Sequence, residues 1–322
     1  MRYAREYMEN VHPLSTAGAA RRPGAPRPFR FGVVAATARS GEEWASKARQ
    51  VESLGYTTLL IPDGLNYALS PLPALAVAAA ATRALRVGTY VLVNDFRHPV
   101  LLAKEAATLD MLSGGRFELG LGAGRPDAAA ESRMLGRAFD SGGVRVARLA
   151  ESLGILKGLL AGQTVTASGS SYSVNEARIS PLPVQQPRPP LLVAGSGRQL
   201  LGLAAREADI VALGLPPDAS EATLVEKINV LREAAGERFE QIELNVNLMA
   251  VGQQVPRYVS AQLGLTAEAL GRQGSVVAVT GSTEQMCDQL LARRETFGIS
   301  YLMVSEEMME ALAPVVERLT GR

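Results

Sequence analysis

The sequence predicts a single (β/α)8 TIM-type barrel with insertions at its C-terminal face. Short apolar runs alternate with segments of helical periodicity from residue 29 to the end of the chain, and eight strand-like runs can be counted. Nearly all of these runs are continuously apolar, the pattern of parallel strands covered by helices on both faces. Eight such units within roughly 290 residues suit a closed barrel better than an open doubly wound sheet, the alternative reading.

The elements follow in order. Residues 29–36 read as the first strand and 41–54 as a helix ended by Gly55, a glycine placed to leave the helix in a left-handed conformation. Residues 56–61 form the second strand, 73–82 an alanine-rich helix, 85–93 the third strand, 99–112 a helix and 116–121 the fourth strand. In the second half, 144–160 is a long amphipathic helix and 163–190 a polar, proline-rich insertion. The strand 191–194, the helix 198–207, the strand 208–213, the helix 220–235 and the strand 242–251 come next. Residues 253–274 form another insertion. Ser282 is placed to cap a helix over 283–297, with Glu284 in its first turn, before the last strand, 299–304, and the last helix, 308–319. Residues 1–28 include Arg21-Arg22-Pro23-Gly24-Ala25-Pro26-Arg27-Pro28 and lack the apolar core of a signal peptide, so they read as a disordered or loosely attached extension to the 29–322 barrel.

Composition excludes several classes. At 47% hydrophobic and 20% charged residues, with a net charge of +1, the chain is ordinary for a globular protein and has no basic footprint for nucleic acid. No apolar run approaches the ~20 residues that span a bilayer, so a cytoplasmic protein acting on a small molecule or peptide is expected. The single cysteine, Cys287, forbids an intramolecular disulfide and reads as helix packing. Two histidines and no cluster of metal-ligating residues argue against a metal site.

In a barrel, chemistry belongs at the C-terminal ends of the strands. Those ends hold Asp63-Gly64, Asn94 to His98, Gly122-Ala123-Gly124-Arg125, Gly195-Ser196-Gly197-Arg198 and Gly214. Gly195 to Arg198, between a strand and a helix, suits an anion, because backbone N–H groups and the helix dipole point at it. The run LDMLSGGRFELGLGAG, 109–124, has glycines inside a strand, as where a ligand or another backbone comes close. It lacks the third glycine of a dinucleotide fingerprint. His98 is placed either to donate a proton or to cap the following helix. Asp63 either caps a turn or meets a ligand ring, and His12, in the extension, reads as inert.

The run 109–124 strongly resembles the luciferase-like monooxygenase superfamily. Leu54-Gly55-Tyr56 before Ile61-Pro62-Asp63, Asn94 to Pro99, and Leu203 to Asp209 carry the same resemblance. Within the superfamily the chain is most similar to oxidoreductases that use the deazaflavin coenzyme F-420. The resemblance implies hydride transfer between that coenzyme and an electron-poor C=C or C=N bond, conceivable in natural-product tailoring, and commonly a homodimer. It implies a coenzyme site at Asp63, Thr89, Tyr90, Val91, Asn94, Gly122, Ala123, Gly124, Ala194, Gly195, Ser196, Gly197 and Arg198, with a non-prolyl cis peptide near 89–91. The proton donors to consider are His98, Asn94 and Tyr90. Two positions depart from the pattern: Gly64 stands where many members have histidine, and Arg125 where the deazaflavin sugar-phosphate dehydrogenases have glutamate. An FMN-dependent monooxygenase, a non-catalytic flavin-binding relative and an unrelated sugar-phosphate barrel are the rival readings.

Overall fold

The computed structural model describes residues 26–126 and 128–322, so most of the expected N-terminal extension, His12 included, lies outside the described residues. The strands are β1 (Arg30–Val34), β2 (Thr58–Ile61), β3 (Arg86–Thr89), β4 (Leu92–Val93), β5 (Phe117–Gly122), β6 (Val165–Ser168), β7 (Ser173–Ala177), β8 (Leu191–Gly195), β9 (Ile210–Leu213), β10 (Glu243–Asn247), β11 (Ala250–Val251), β12 (Ala278–Val279) and β13 (Ile299–Ser305). The helices are α1 (Gly41–Ser53), α2 (Pro71–Ala81), α3 (Pro99–Leu112), α4 (Ala128–Met134), α5 (Gly142–Leu160), α6 (Arg198–Glu207), α7 (Glu221–Ala235), α8 (Arg257–Leu263), α9 (Ala267–Arg272), α10 (Thr283–Phe297) and α11 (Met309–Leu319).

Nine of the strands form one parallel sheet that closes on itself. β1 pairs with β2 and β13, and β3 with β5, so the order runs β1, β2, β3, β5, β8, β9, β10, β13 and back. β4 extends the third position, giving the eight staves that the sequence predicts.

Several boundaries differ from the sequence reading. The expected third strand, 85–93, is broken in two, with the cis Tyr90–Val91 peptide between β3 and β4. The expected 242–251 strand ends at Asn247; Ala250 and Val251 leave the barrel to pair with Ala278 and Val279. The 163–190 insertion contains the antiparallel hairpin β6–β7, and 253–274 contains α8 and α9. Helix α4 was not expected. The caps fall where they were read: Gly55 takes φ +83° after α1, and Ser282 and Gln285 form a reciprocal capping box on α10.

Strand β5 shows how sequence becomes barrel. Side chains alternate faces along a strand. Phe117, Leu119 and Leu121 belong to the apolar layer between sheet and helices. Glu118, Gly120 and Gly122 therefore face the barrel interior. At the N-terminal end of that interior, Glu118, 1% exposed, meets Arg30 Nη1 at 2.6 Å and Arg86 Nε at 2.6 Å, and accepts from the Tyr301 hydroxyl at 3.3 Å. Arg30 also pairs with Glu243 at 2.8 Å and lies over the Tyr301 ring. Burial alone would raise the Glu118 pKa, but the two guanidiniums beside it bring it down to about 2. Above this layer Leu60, Leu192, Ala212 and Met303 fill the middle of the barrel. Space opens only at the C-terminal end.

Candidate active site

The C-terminal ends of β2, β4, β5, β8 and β9 surround a cavity of about 770 Å³. Its walls are largely backbone: Gly122, Ala123 and Gly124 after β5, Ala194 to Gly197 after β8, and Gly214 after β9. Asp63, Tyr67, Tyr90 and Val91 close one side, and Arg125, Arg145 and Arg198 border it as well.

The glycines of β5 first make room for the chain itself. A Cβ on Gly120 would lie 1.9 Å from the Thr89 carbonyl oxygen, and one on Gly122 would lie 2.9 Å from Val91 Cγ2. The close backbone approach that the sequence signals is thus the β3–β4 segment with its cis peptide. Only after that segment is seated do Gly122 and Gly124 become cavity wall. Thr89 accordingly serves the fold and does not border the cavity: its hydroxyl donates to the Gly120 carbonyl and accepts from the Gly120 N–H, both at 2.8 Å.

Asp63 is committed to a protein partner. Its Oδ2 accepts from the Val93 N–H at 2.9 Å and from Arg97 Nη1 at 2.6 Å, while Oδ1 accepts from Arg97 Nη2 at 3.1 Å. It touches the cavity as a neutralised pair that pins the 93–97 turn to β2.

Of the three expected proton donors, only Tyr90 borders the cavity. Burial raises its pKa, so the phenol keeps its proton at neutral pH. His98 caps α3, its Nδ1 accepting from the Val100 N–H at 3.3 Å, so the capping alternative is the one realised. Asn94 is 2% exposed and donates from Nδ2 to the Tyr172 hydroxyl at 3.1 Å. Tyr172 lies beside the β6–β7 hairpin and meets the His98 ring edge-on, centroids 5.7 Å apart. Asn94 and His98 thus hold the 163–190 insertion against the barrel rather than face the cavity.

The loop after β8, the expected anion site, leads into the N-terminus of α6. Gly197 caps α6 with no side-chain cap, and a Cβ there would meet nothing within 4 Å, so the helix N-terminus opens onto free space. Arg198 reaches outward to Glu233 at 3.1 Å, both side chains mostly exposed. Lys227 donates to the Ser196 carbonyl at 3.1 Å.

Sequence reasoning missed four contributors. Arg145 of α5 donates to the Ala123 carbonyl at 2.7 Å and also to the Gly124 carbonyl, so it braces the glycine wall from behind. Glu131 of α4 accepts from the Leu65 N–H at 2.7 Å and the Asn66 N–H at 3.3 Å. Its Oε1 lies 2.8 Å from where a Cβ on Gly64 would stand. Lys227 and Tyr172 complete the set. Each lies tens of residues from the motif it supports, so no local spacing announces it. Among the described residues no group of His, Cys, Asp and Glu could hold a metal ion, and no helix is long and apolar enough to cross a membrane. Cys287 is buried in α10 as packing.

Comparison with known proteins adds a third line. Residues 28–253 match the family model described as luciferase-like monooxygenase. The chain is 32% identical over 229 residues to an F-420-dependent glucose-6-phosphate dehydrogenase from Nakamurella multipartita, covering 68% of this chain and 66% of that one. A protein of the same name from Beutenbergia cavernae is 35% identical over 166 residues, covering 49% and 48%. The matched region thus spans between about half and two thirds of these relatives' length. Among solved structures, a coenzyme F-420-dependent tetrahydromethanopterin reductase from Methanopyrus kandleri superposes with a TM-score of 0.71 at 19% identity, covering 92% of this chain and 99% of that one. A monooxygenase from Streptomyces bottropensis gives 0.69 at 21% identity, covering 90% and 97%. At such identities these two structures speak for the fold alone.

Proposed function

The chain belongs to the luciferase-like monooxygenase family, and from that premise we propose that it is a coenzyme F-420-dependent oxidoreductase that moves a hydride between the deazaflavin and an electron-poor C=C or C=N bond of a small organic substrate. The observation that carries the reading is the cavity's construction: walls of glycine and alanine at 122–124 and 194–197, and a helix N-terminus at Gly197 that no side chain caps. Free N–H groups at a helix N-terminus suit an anionic coenzyme.

Gly122, Ala123, Gly124, Tyr90 and Val91 would border the ring. Ala194, Gly195, Ser196, Gly197 and Arg198 would hold the coenzyme phosphate through backbone N–H groups at the start of α6. When bound, the deazaflavin supplies or accepts the hydride. The chain's own work is to exclude water, to hold the reacting carbons together and to place a proton donor. Tyr90 fills that last role in this reading, as the one of the three candidate donors that borders the cavity. Arg125, where the resemblance places the glutamate of sugar-phosphate dehydrogenases, argues against that oxidation in particular. The cytoplasm and a homodimer remain part of the proposal.

Titration of the purified protein with deazaflavin and, separately, FMN, followed by ring fluorescence, tests this. Tighter binding of deazaflavin, and oxidation of its reduced form by an unsaturated carbonyl compound without oxygen uptake, is the expected result. Preference for FMN with oxygen consumption overturns it in favour of a monooxygenase. Failure of both to bind sinks the coenzyme site.

A further inference from the structure

Next to the main cavity lies a smaller one of about 320 Å³, bounded by Leu65, Tyr67, Ser70, Phe96 and Leu135. The two cavities share Asp63 and Tyr67. We propose that the side cavity is the acceptor site of the oxidoreductase, and that it takes the apolar, uncharged body of the substrate while the reacting bond passes Tyr67 into the main cavity. This rests on the oxidoreductase reading and names its substrate class.

The electrostatics of the two cavities differ. The main cavity is bordered by Arg125, Arg145 and Arg198. The side cavity's only charged wall residues are Asp63 and Arg97, and these face each other through two hydrogen bonds of 2.6 and 3.1 Å. A pair so joined has little left to offer a charged ligand. Where a side chain at position 64 would have lined the wall there is glycine, and the carboxylate behind it, Glu131, turns to the N–H groups of Leu65 and Asn66. The remaining surface is aromatic and aliphatic.

The rim agrees with the interior. Leu65 is 51% exposed and Leu135 43%, two large apolar side chains held in water at one entrance. One polar handle is present: Ser70 begins α2 but makes no side-chain cap bond, so its hydroxyl borders the cavity uncommitted to its own helix. An apolar pocket with one hydroxyl suits an alkyl or aryl ketone or enone, and not a sugar phosphate, whose dianion would find no free cation on this wall.

The test uses 4-phenylbut-3-en-2-one as the apolar probe and glucose 6-phosphate as the polar one. Both are titrated by calorimetry into the full chain, alone and loaded with oxidised deazaflavin, which prevents turnover. Two exposed rim positions supply the variants: Leu135→Trp to fill the cavity and Leu65→Asp to charge its entrance. The wild type should bind the enone and not the sugar phosphate. Each variant should weaken the enone at least about tenfold while leaving deazaflavin affinity within about twofold, because neither residue borders the main cavity. Undiminished enone binding in both variants, no enone binding to the wild type, or preference for the sugar phosphate each overturns the proposal. If deazaflavin fails to bind, the coenzyme reading has failed, while enone titration of the chain alone still decides the side cavity.

Discussion

The two ends of the barrel are built on opposite plans. At the N-terminal end, charged side chains enter the interior and cancel one another: Glu118 against Arg30 and Arg86, and Arg30 against Glu243. At the C-terminal end the strands contribute glycine backbone, and the cavity there is bordered by Arg125, Arg145 and Arg198. A single strand carries both plans, since Glu118, Gly120 and Gly122 succeed one another along the inner face of β5. The bottom is closed by charge and the top is opened by missing side chains. Stability and binding should therefore respond to different substitutions along one strand.

The largest expected effect lies at the bottom. Glu118→Ala leaves two buried guanidiniums without their shared carboxylate and should cost about 3–5 kcal/mol in urea unfolding. The folded fraction should still bind coenzyme. The same residue sets a pH dependence: its folded pKa of about 2 lies below the ordinary 4.5, so its contribution is complete above pH 4.5 and drains away as pH falls through 2. The shift corresponds to about 3 kcal/mol, and Glu118→Gln should flatten that acid limb. An unchanged acid limb in the variant would mean that the charge layer does not hold the barrel closed.

One step up the strand the two properties should fall together. Gly120→Ala puts a methyl 1.9 Å from a backbone oxygen that cannot rotate away, so about 1–3 kcal/mol of stability should be lost. Because the displaced Thr89–Val91 segment forms part of the cavity wall, coenzyme affinity should drop as well. Full affinity in a destabilised variant would separate wall from fold and break the comparison. At the top, Tyr90→Phe removes only a hydroxyl, so stability should stay within about 0.5 kcal/mol. Steady-state turnover should fall about a hundredfold at unchanged coenzyme affinity. Normal turnover would remove Tyr90 as the proton donor.

These contrasts also separate what the sequence discloses from what it withholds. The eight staves are legible because each is an apolar run long enough to carry a pattern. β11 and β12, two residues each, have no period to display, and their pairing depends on 26 intervening residues. The glycines of 109–124 announce a close approach, but not that the approaching group is the Thr89 carbonyl. For His98 the residues left two roles open, and the chain's path decides for the cap. The loop at 194–198 borders the cavity, at one of the strand ends where the sequence places candidate residues. The cavity's supports come from helices far along the chain, Lys227 to Ser196, Arg145 to 123–124 and Glu131 to 65–66, where each looks like any solvated charge.

Gly64 and Glu131 leave one further consequence, for how these two positions are read. A methyl at 64 would meet Oε1 at 2.8 Å and force the carboxylate off the N–H of Leu65. The two positions are therefore coupled across 67 places of sequence, and substitutions at them should not add. Glycine at 64 reads in isolation as a missing side chain. Together with Glu131 it is one half of a contact, because the carboxylate stands where a side chain at 64 would go.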